Sequence, residues 1–447
     1  MSQVAARRMD VLSVNGVQDP TRLDATTRSL IERRGEVFGP GYRLQYGRPV
    51  RPVRAHGTKI YDASGEVLLD AYNNVPCIGH GNPRVVEAMT EQLAMVSTNT
   101  RYLQDKVLQY AERLLATFEP SLDRVMFACT GSEANDLAIR VARHVTGHTG
   151  IIASEFAYHG TTSLVASFSP SGGFRIPLGQ DVRLVAPPDP RRTPGEDVAL
   201  FFASQVRGAI EDLHRHGVGV AAMILDGLFS SDGIYPASRS ILQPAIDLVR
   251  GAGGLIILDE VQSGFGRTGN HLWGHQTFGV TPDIVTLGKP MANGLPVAAV
   301  VAEWDLIEDF GSQIPYFNTF AGNTGCIAAA DAVLGVLQTD GVLDNVRRQS
   351  AALVEGMRSA TSRVASRFEI RSSGLYIGVG IFGEDGQTED PALADWIVNE
   401  MRELGVLISL AGATGSVLKV RPPLVFDDAD TDRFLSTFAQ VVQSAAL

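Results

Sequence analysis

Six short apolar runs, rich in Val, Ile and Leu, punctuate the middle of this chain at 124–129, 150–153, 182–186, 221–225, 254–258 and 283–287, with 296–301 following. Continuous rather than alternating hydrophobicity belongs to strands buried on both faces. Between the runs lie stretches such as 133–145, 197–216 and 240–251, whose apolar residues recur at helical spacing. Strands separated by helices of this length form βαβ units, so the centre is predicted to be an α/β domain on a mostly parallel, seven-stranded sheet. The flanks differ. Residues 1–70 hold Arg/Pro/Gly-rich connections and a predicted hairpin over 59–70, while the segment from 326 opens with an Ala-rich helix and continues in mixed elements. The expected division is a large domain over 71–325 and a small α+β domain assembled from 1–70 and 326–447.

Composition removes several function classes. The net charge of −11, with no Lys/Arg cluster beyond the pairs Arg33-Arg34 and Arg191-Arg192, argues against a nucleic-acid surface. Cys77, Cys129 and Cys326 are too scattered for a disulfide framework or a CxxC metal site, which fits a reducing cytoplasm. The first ten residues lack the apolar core of an export signal, and no stretch approaches the ~18 apolar residues of a membrane span. A cytoplasmic protein without membrane or nucleic-acid partners is expected.

Chemistry concentrates at strand ends. Asp259 closes the run 254–258 and Lys289 follows the run 283–287. Open α/β sheets bind ligands at the carboxyl ends of their strands. An amine and a carboxylate delivered there suit pyridoxal 5'-phosphate, whose carbonyl takes a lysine and whose ring nitrogen needs an anion. The alternative is a strand-end ion pair. In Thr130-Gly131-Ser132-Glu133, a strand gives way to a glycine turn and a helix start, which offers amides to a phosphate or is only an N-cap. Tyr158-His159-Gly160 presents an aromatic ring for stacking, or packs. The loop holding Thr319 precedes the Ala-rich helix as a second phosphate contact or a helix start. Lys419 and Arg421 stand before a Pro-Pro turn as anion holders or surface charge.

Two patterns point elsewhere. Gly264-Phe-Gly266-Arg-Thr-Gly269 has the dinucleotide-binding spacing, but its first glycine does not close a strand and a poor helix follows. His144 and His148 are spaced as metal ligands on a helix, yet Gly147 lies between them, and no metal is expected.

In order, Thr130-Gly131-Ser132-Glu-Ala-Asn135, Tyr158-His159-Gly160, Leu258-Asp259-Glu-Val-Gln262-Ser-Gly-Phe-Gly-Arg-Thr-Gly269, Leu287-Gly-Lys289 and Asn318-Thr319-Phe320 resemble the class-III aminotransferase family over about residues 40–430. The resemblance implies the type I fold of pyridoxal phosphate enzymes and a homodimer with shared active sites, leaving open whether dimers pair into tetramers. It implies that Lys289 anchors the cofactor and moves protons, and that Asp259 keeps the ring nitrogen protonated. It further implies that Gly131 and Ser132 hold the cofactor phosphate, Thr319 completes that site from the neighbouring subunit, Tyr158 stacks on the ring, and Gln262 lies near the phenolic oxygen.

The departures bear on substrate. Many members carry Glu-Pro-x-Gln-Gly-Glu-Gly-Gly after the fourth strand, where this chain reads Asp226-Gly-Leu-Phe-Ser-Ser231-Asp-Gly. The second glutamate is replaced by Ser231, and its usual arginine partner, which holds the α-carboxylate of amino-acid substrates, by Lys419. Since a lone buried charge is costly, the joint loss points to changed chemistry. With Ala71-Tyr-Asn73-Asn74-Val-Pro and Asn99-Thr-Arg101-Tyr-Leu, the altered pair resembles a subgroup acting on terminal amines, which includes ethanolamine-phosphate and phosphohydroxylysine phospho-lyases. Lys419, Arg421 and Arg101 are then the candidate holders of a substrate phosphate. The alternatives are an ω-aminotransferase passing a terminal amino group to a 2-keto acid, and a non-catalytic relative, against which the intact Lys289 and Asp259 argue.

Overall fold

A computed structural model describes residues 16–17, 21, 23–173, 175–195 and 197–445. The first ten residues, on which the expected absence of an export signal rests, lie outside that set. Among the described residues no single helix is long and apolar enough to cross a membrane.

Strands β1 (Pro52–His56), β2 (Lys59–Asp62) and β3 (Val67–Asp70) come first. The central strands are β4 (Arg124–Ala128), β5 (Gly150–Ser154), β6 (Val182–Val185), β7 (Val220–Leu225), β8 (Leu255–Asp259), β9 (Ile284–Leu287) and β10 (Ala298–Ala302). Then follow β11 (Phe368–Ser372), β12 (Ile377–Ile381), β13 (Val406–Leu407), β14 (Ser409–Ala411) and β15 (Val417–Val420). All seven expected central strands form within a residue or two of their predicted positions. They make one sheet in the order β4-β10-β9-β8-β7-β5-β6. Only β10 runs antiparallel to its neighbours, and β5, β7, β9 and β10 are buried along their whole length, as unbroken apolar runs require.

The helix Gly131–Thr146 lies on β7, β9 and β10, burying Ala134, Leu137, Ala138, Val141 and Ala142. Its start is fixed by a capping box: Thr130 accepts from the Glu133 amide, and Glu133 accepts from the amides of Thr130 and Cys129. Helices Val198–Arg215 and Arg239–Gly251 pack together and against the sheet near β6, β7 and β8.

The predicted hairpin is present as β2 and β3, in a sheet of order β1-β2-β3-β13. Here β13, from near the end of the chain, pairs parallel to β3, with Val406 opposite Leu69. The antiparallel sheet β11-β12-β15-β14 carries Lys419 on β15, and the amide of Arg421 just beyond it donates to Ala71 O at 2.9 Å. Both sequence flanks thus meet at the carboxyl ends of the central strands.

Candidate active site

Parallel strands deliver their last residues to one edge, and the chemistry gathers there. Asp259 ends β8 and is buried, with Oδ2 2.8 Å from His159 Nδ1 and 2.9 Å from Asn135 Nδ2, while Oδ1 accepts from the Val261 amide at 3.0 Å. Burial works against its ionisation, but the hydrogen bond and charge of His159, aided by Asn135 and the Val261 amide, outweigh it and hold the carboxyl below its ordinary range. Asn135 is itself oriented, donating also to His159 O at 2.8 Å and accepting from Thr286 Oγ1 at 2.6 Å. Helix Gly131–Thr146, β9 and the loop after β5 therefore converge on one carboxylate.

Lys289 follows β9 and Gly288, with a positive φ of 24° that is rare outside glycine and typical of strained functional positions. Burial and then the Arg421 charge lower the Lys289 pKa, with Asp259, Tyr72 and Asp226 opposing only in part. The amine is therefore more readily neutral than an exposed lysine. No ion pair joins Lys289 to Asp259 among the described residues; the Asp259 carboxylate meets His159 Nδ1 instead. The strand-end ion-pair alternative fails on that geometry.

Gly131 and Ser132 begin their helix inside the Thr130 cap, and their amides have no partner among the described residues. Ser132 is thus not the cap; its Oγ accepts from the Thr161 amide at 3.0 Å. Gly160 presses on the same serine with φ 144°, and a Cβ there would lie 2.3 Å from Ser132 Oγ. Glycine is required at that position. Free amides at the start of a helix attract an anion. They line a cavity of about 180 Å³ together with Tyr158, Asp226, Asp259, Gln262 and Lys289. Asp226, at the end of β7, has its carboxyl pushed up by burial and by the charge of Asp259.

A larger cavity of about 610 Å³ shares Tyr158, Gln262 and Lys289 with the first and adds Ser231, Lys419, Arg421 and Tyr72. The structure therefore brings Ser231 and Lys419 to the anchor lysine. Lys419 is only 5% exposed, has no hydrogen-bond or ion-pair partner among the described residues, and is held well below the ordinary lysine range by burial and then by Arg421. Arg421 donates from Nε to Tyr72 O at 3.0 Å and from Nη1 to Gln262 Oε1 at 2.6 Å, with its guanidinium 4.6 Å from the Tyr72 ring centre.

Arg101 is not brought to these cavities within one chain; it is exposed and lies over the Phe317 ring at 3.7 Å. Thr319 is likewise exposed and lines neither cavity. The Gly264–Gly269 run does not close a strand, because β8 has already ended at Asp259. Its Gly266 amide bonds Leu272 O, and the buried Arg267 between the glycines donates to Leu375 O and Pro422 O, clasping the C-terminal segment. His144 meets Asp309 O at 3.2 Å and packs edge-on against Phe310.

Sequence reasoning missed the roles of His159, Asn135 and Thr286, and treated Asp226 only as part of a motif. One signal was available for Thr286, a lone hydroxyl inside a strand otherwise apolar and wholly buried. Asn135, fully buried one turn beyond Gly131, is marked by no pattern of its own.

A buried strand-end carboxylate, a depressed lysine and an anion cup on a seven-stranded α/β sheet define an enzyme site of one class. The class-III aminotransferase family model matches residues 44–442, and the chain belongs to that family. Among individual proteins, it is similar to a solved phospholyase from Arthrobacter in complex with phosphoethanolamine, at 40% identity and TM-score 0.89, covering 93% of this chain and 99% of that one. Ethanolamine-phosphate phospho-lyase homolog 1 of Caenorhabditis elegans is 32% identical over 92% of this chain and 93% of its own length. The alanine–glyoxylate aminotransferase 2-like protein of Drosophila melanogaster is 36% identical over 92% of this chain and 86% of its own.

Proposed function

We propose that this chain is a pyridoxal 5'-phosphate-dependent phospho-lyase that eliminates phosphate from a small terminal amine such as phosphoethanolamine. One water is taken up, and acetaldehyde, ammonia and phosphate are released. The observation that carries this reading is Lys419, a buried amine without a side-chain partner among the described residues, which lines the cavity that holds Lys289 together with Ser231, where many relatives carry a carboxylate. An isolated buried charge is unfavourable until an anion joins it. A substrate phosphate is that anion, and the phosphoethanolamine bound by the Arthrobacter neighbour supports the choice.

The smaller cavity suits the cofactor residue by residue. The free amides of Gly131 and Ser132 fit its phosphate, ionised Asp259 fits its ring nitrogen, Tyr158 fits its ring face, and Lys289 fits its carbonyl carbon. When bound, the cofactor supplies an electron sink for the carbon beside the substrate nitrogen. Lys289 Nζ, made less basic by its surroundings, takes the proton from that carbon. Lys419 holds the phosphate oxygens, with Arg421 beside it, and Ser231 presents no negative charge to repel them. The contact with His159 favours the ionised form of Asp259, which would keep the nitrogen of a bound ring protonated.

The deciding assay mixes the holoenzyme with phosphoethanolamine and follows free phosphate with and without a keto acid. Release that needs no keto acid is expected; no release from phosphoethanolamine or phosphohydroxylysine overturns the reading. A second reading, an ω-aminotransferase, is favoured by the Drosophila relative and requires pyruvate or 2-oxoglutarate for turnover.

Arg101, which lies over the Phe317 ring, and Thr319 neighbour the exposed Tyr102, Leu103 and Phe320 in the chain, and Leu103 is 96% exposed. An apolar face of this kind calls for a partner. We infer a homodimer in which a second copy covers this face and the exposed Arg101 and Thr319 complete the neighbouring site.

A further inference from the structure

Gln262 sits where the two cavities meet. Its Oε1 receives Arg421 Nη1 at 2.6 Å and Asn74 Nδ2 at 2.8 Å. A glutamine carboxamide ordinarily has two flips to choose between. Here one neighbour removes the choice. A guanidinium carries five N–H donors, no acceptor, and a charge it never loses in a protein. The atom facing Arg421 is therefore the carbonyl oxygen, and that oxygen in turn compels Asn74 to meet it with Nδ2.

Two atoms record the consequence. Asn74 Oδ1 is left buried without a partner among the described residues, an uncompensated desolvation that the fold bears. Gln262 Nε2 has no partner among the described residues and remains as a donor on a side chain that lines both cavities. Arg421 is pinned in turn by the carbonyl of Tyr72, by its own amide on Ala71 O, and by the Tyr72 ring. Its Nε and Nη1 are committed within the protein, which is more than a pure anion holder needs.

We propose that Arg421 is a positioning residue which, with Asn74, locks Gln262 so that a hydrogen-bond donor and never an acceptor faces the cofactor cavity, favouring an ionised phenolic oxygen on the bound cofactor. This rests on the cofactor reading above and not on the choice between elimination and transfer. A free glutamine could turn either end to that oxygen; a locked one lowers the pH at which the oxygen ionises.

The test is an absorbance titration of the enzyme reconstituted with pyridoxal phosphate, without substrate. Arg421→Gln is expected to raise the pH midpoint of the bound-cofactor spectrum by about one unit, the size of one lost charge-assisted hydrogen bond. Asn74→Ala keeps every cation and discards the orphaned acceptor; it should shift the midpoint the same way by less. In a Gln262→Ala background the effect of Arg421→Gln should vanish, because the residue acts through Gln262. An Arg421→Gln shift of equal size with and without Gln262, or single variants that leave the midpoint in place, overturns the proposal. Failure of phosphate release leaves this titration intact. A wild-type chain that takes up no pyridoxal phosphate overturns the cofactor reading and the lock together.

Discussion

A lysine buried without a counter-ion has two states with different uses. Lys419 is pushed toward its neutral form by burial and Arg421, and a bound dianion would draw it back to the ammonium. Substrate binding should therefore take up a proton, and the KM for a phosphorylated amine should rise with pH through the lowered Lys419 pKa. Lys419→Arg, which cannot lose its charge, is expected to flatten that rise, and Lys419→Met to raise KM at least tenfold, the ~1.4 kcal/mol of one modest charge-assisted contact. Steady-state kinetics across pH checks both. At the carboxylate, Asp259→Asn removes the anion proposed to hold the ring nitrogen and should cut kcat by about 10²-fold or more. Asp259 was legible because it stands alone at the end of an apolar run, and Lys419 because two cations precede a Pro-Pro turn. His159, Asn135 and Thr286 were not, because their importance lies in meeting one another across elements far apart in sequence. A lone Asn inside a helix carries no mark of such a meeting, and a lone Thr inside a buried strand marks the residue without naming its partner.

The elements themselves were largely written in hydrophobic pattern, since strands covered on both faces must be unbroken apolar runs. Their order in the sheet was not. Placing β10 antiparallel between β4 and β9 is decided by how the connections pack, which local pattern does not encode. One helix start invites a direct test. Thr130 caps Gly131–Thr146 and so aims the Gly131 and Ser132 amides; Thr130→Ala is expected to cost about 1 kcal/mol in stability and to weaken cofactor retention, read by denaturant unfolding and by dialysis of the holoenzyme. A second feature binds the loop after β8 to its surroundings. His275, wholly buried, lies 2.9 Å from both Glu260 and Glu119. Burial opposes its protonation, but the hydrogen bonds of Glu119 and Glu260 prevail and raise its pKa to about 9 from 6.5. Because the folded value is the higher one, the stabilisation is complete below about 6.5 and is lost as pH rises through about 9. That loss is on the order of 3 kcal/mol. Thermal melts should show the wild type weakening across this window and His275→Gln failing to follow it.

For the whole molecule, the proposed dimer makes concentration a variable. Dilution that dissociates subunits should lower specific activity, and Leu103→Asp, placed on the exposed apolar face, should do the same at ordinary concentration, with sedimentation confirming the monomer. The pairing of β3 with β13 carries a different consequence. A ribosome releases β3 more than three hundred residues before β13, which covers its second edge, and Lys419 and Arg421 emerge later still. Gly131, Ser132, Asp259 and Lys289, the groups proposed to hold the cofactor within one subunit, are therefore in the growing polypeptide while Lys419 and Arg421 have yet to be translated. In the reading proposed above, the residues that would choose the substrate are thus the last to be made, and the order of synthesis sets anchoring before selection.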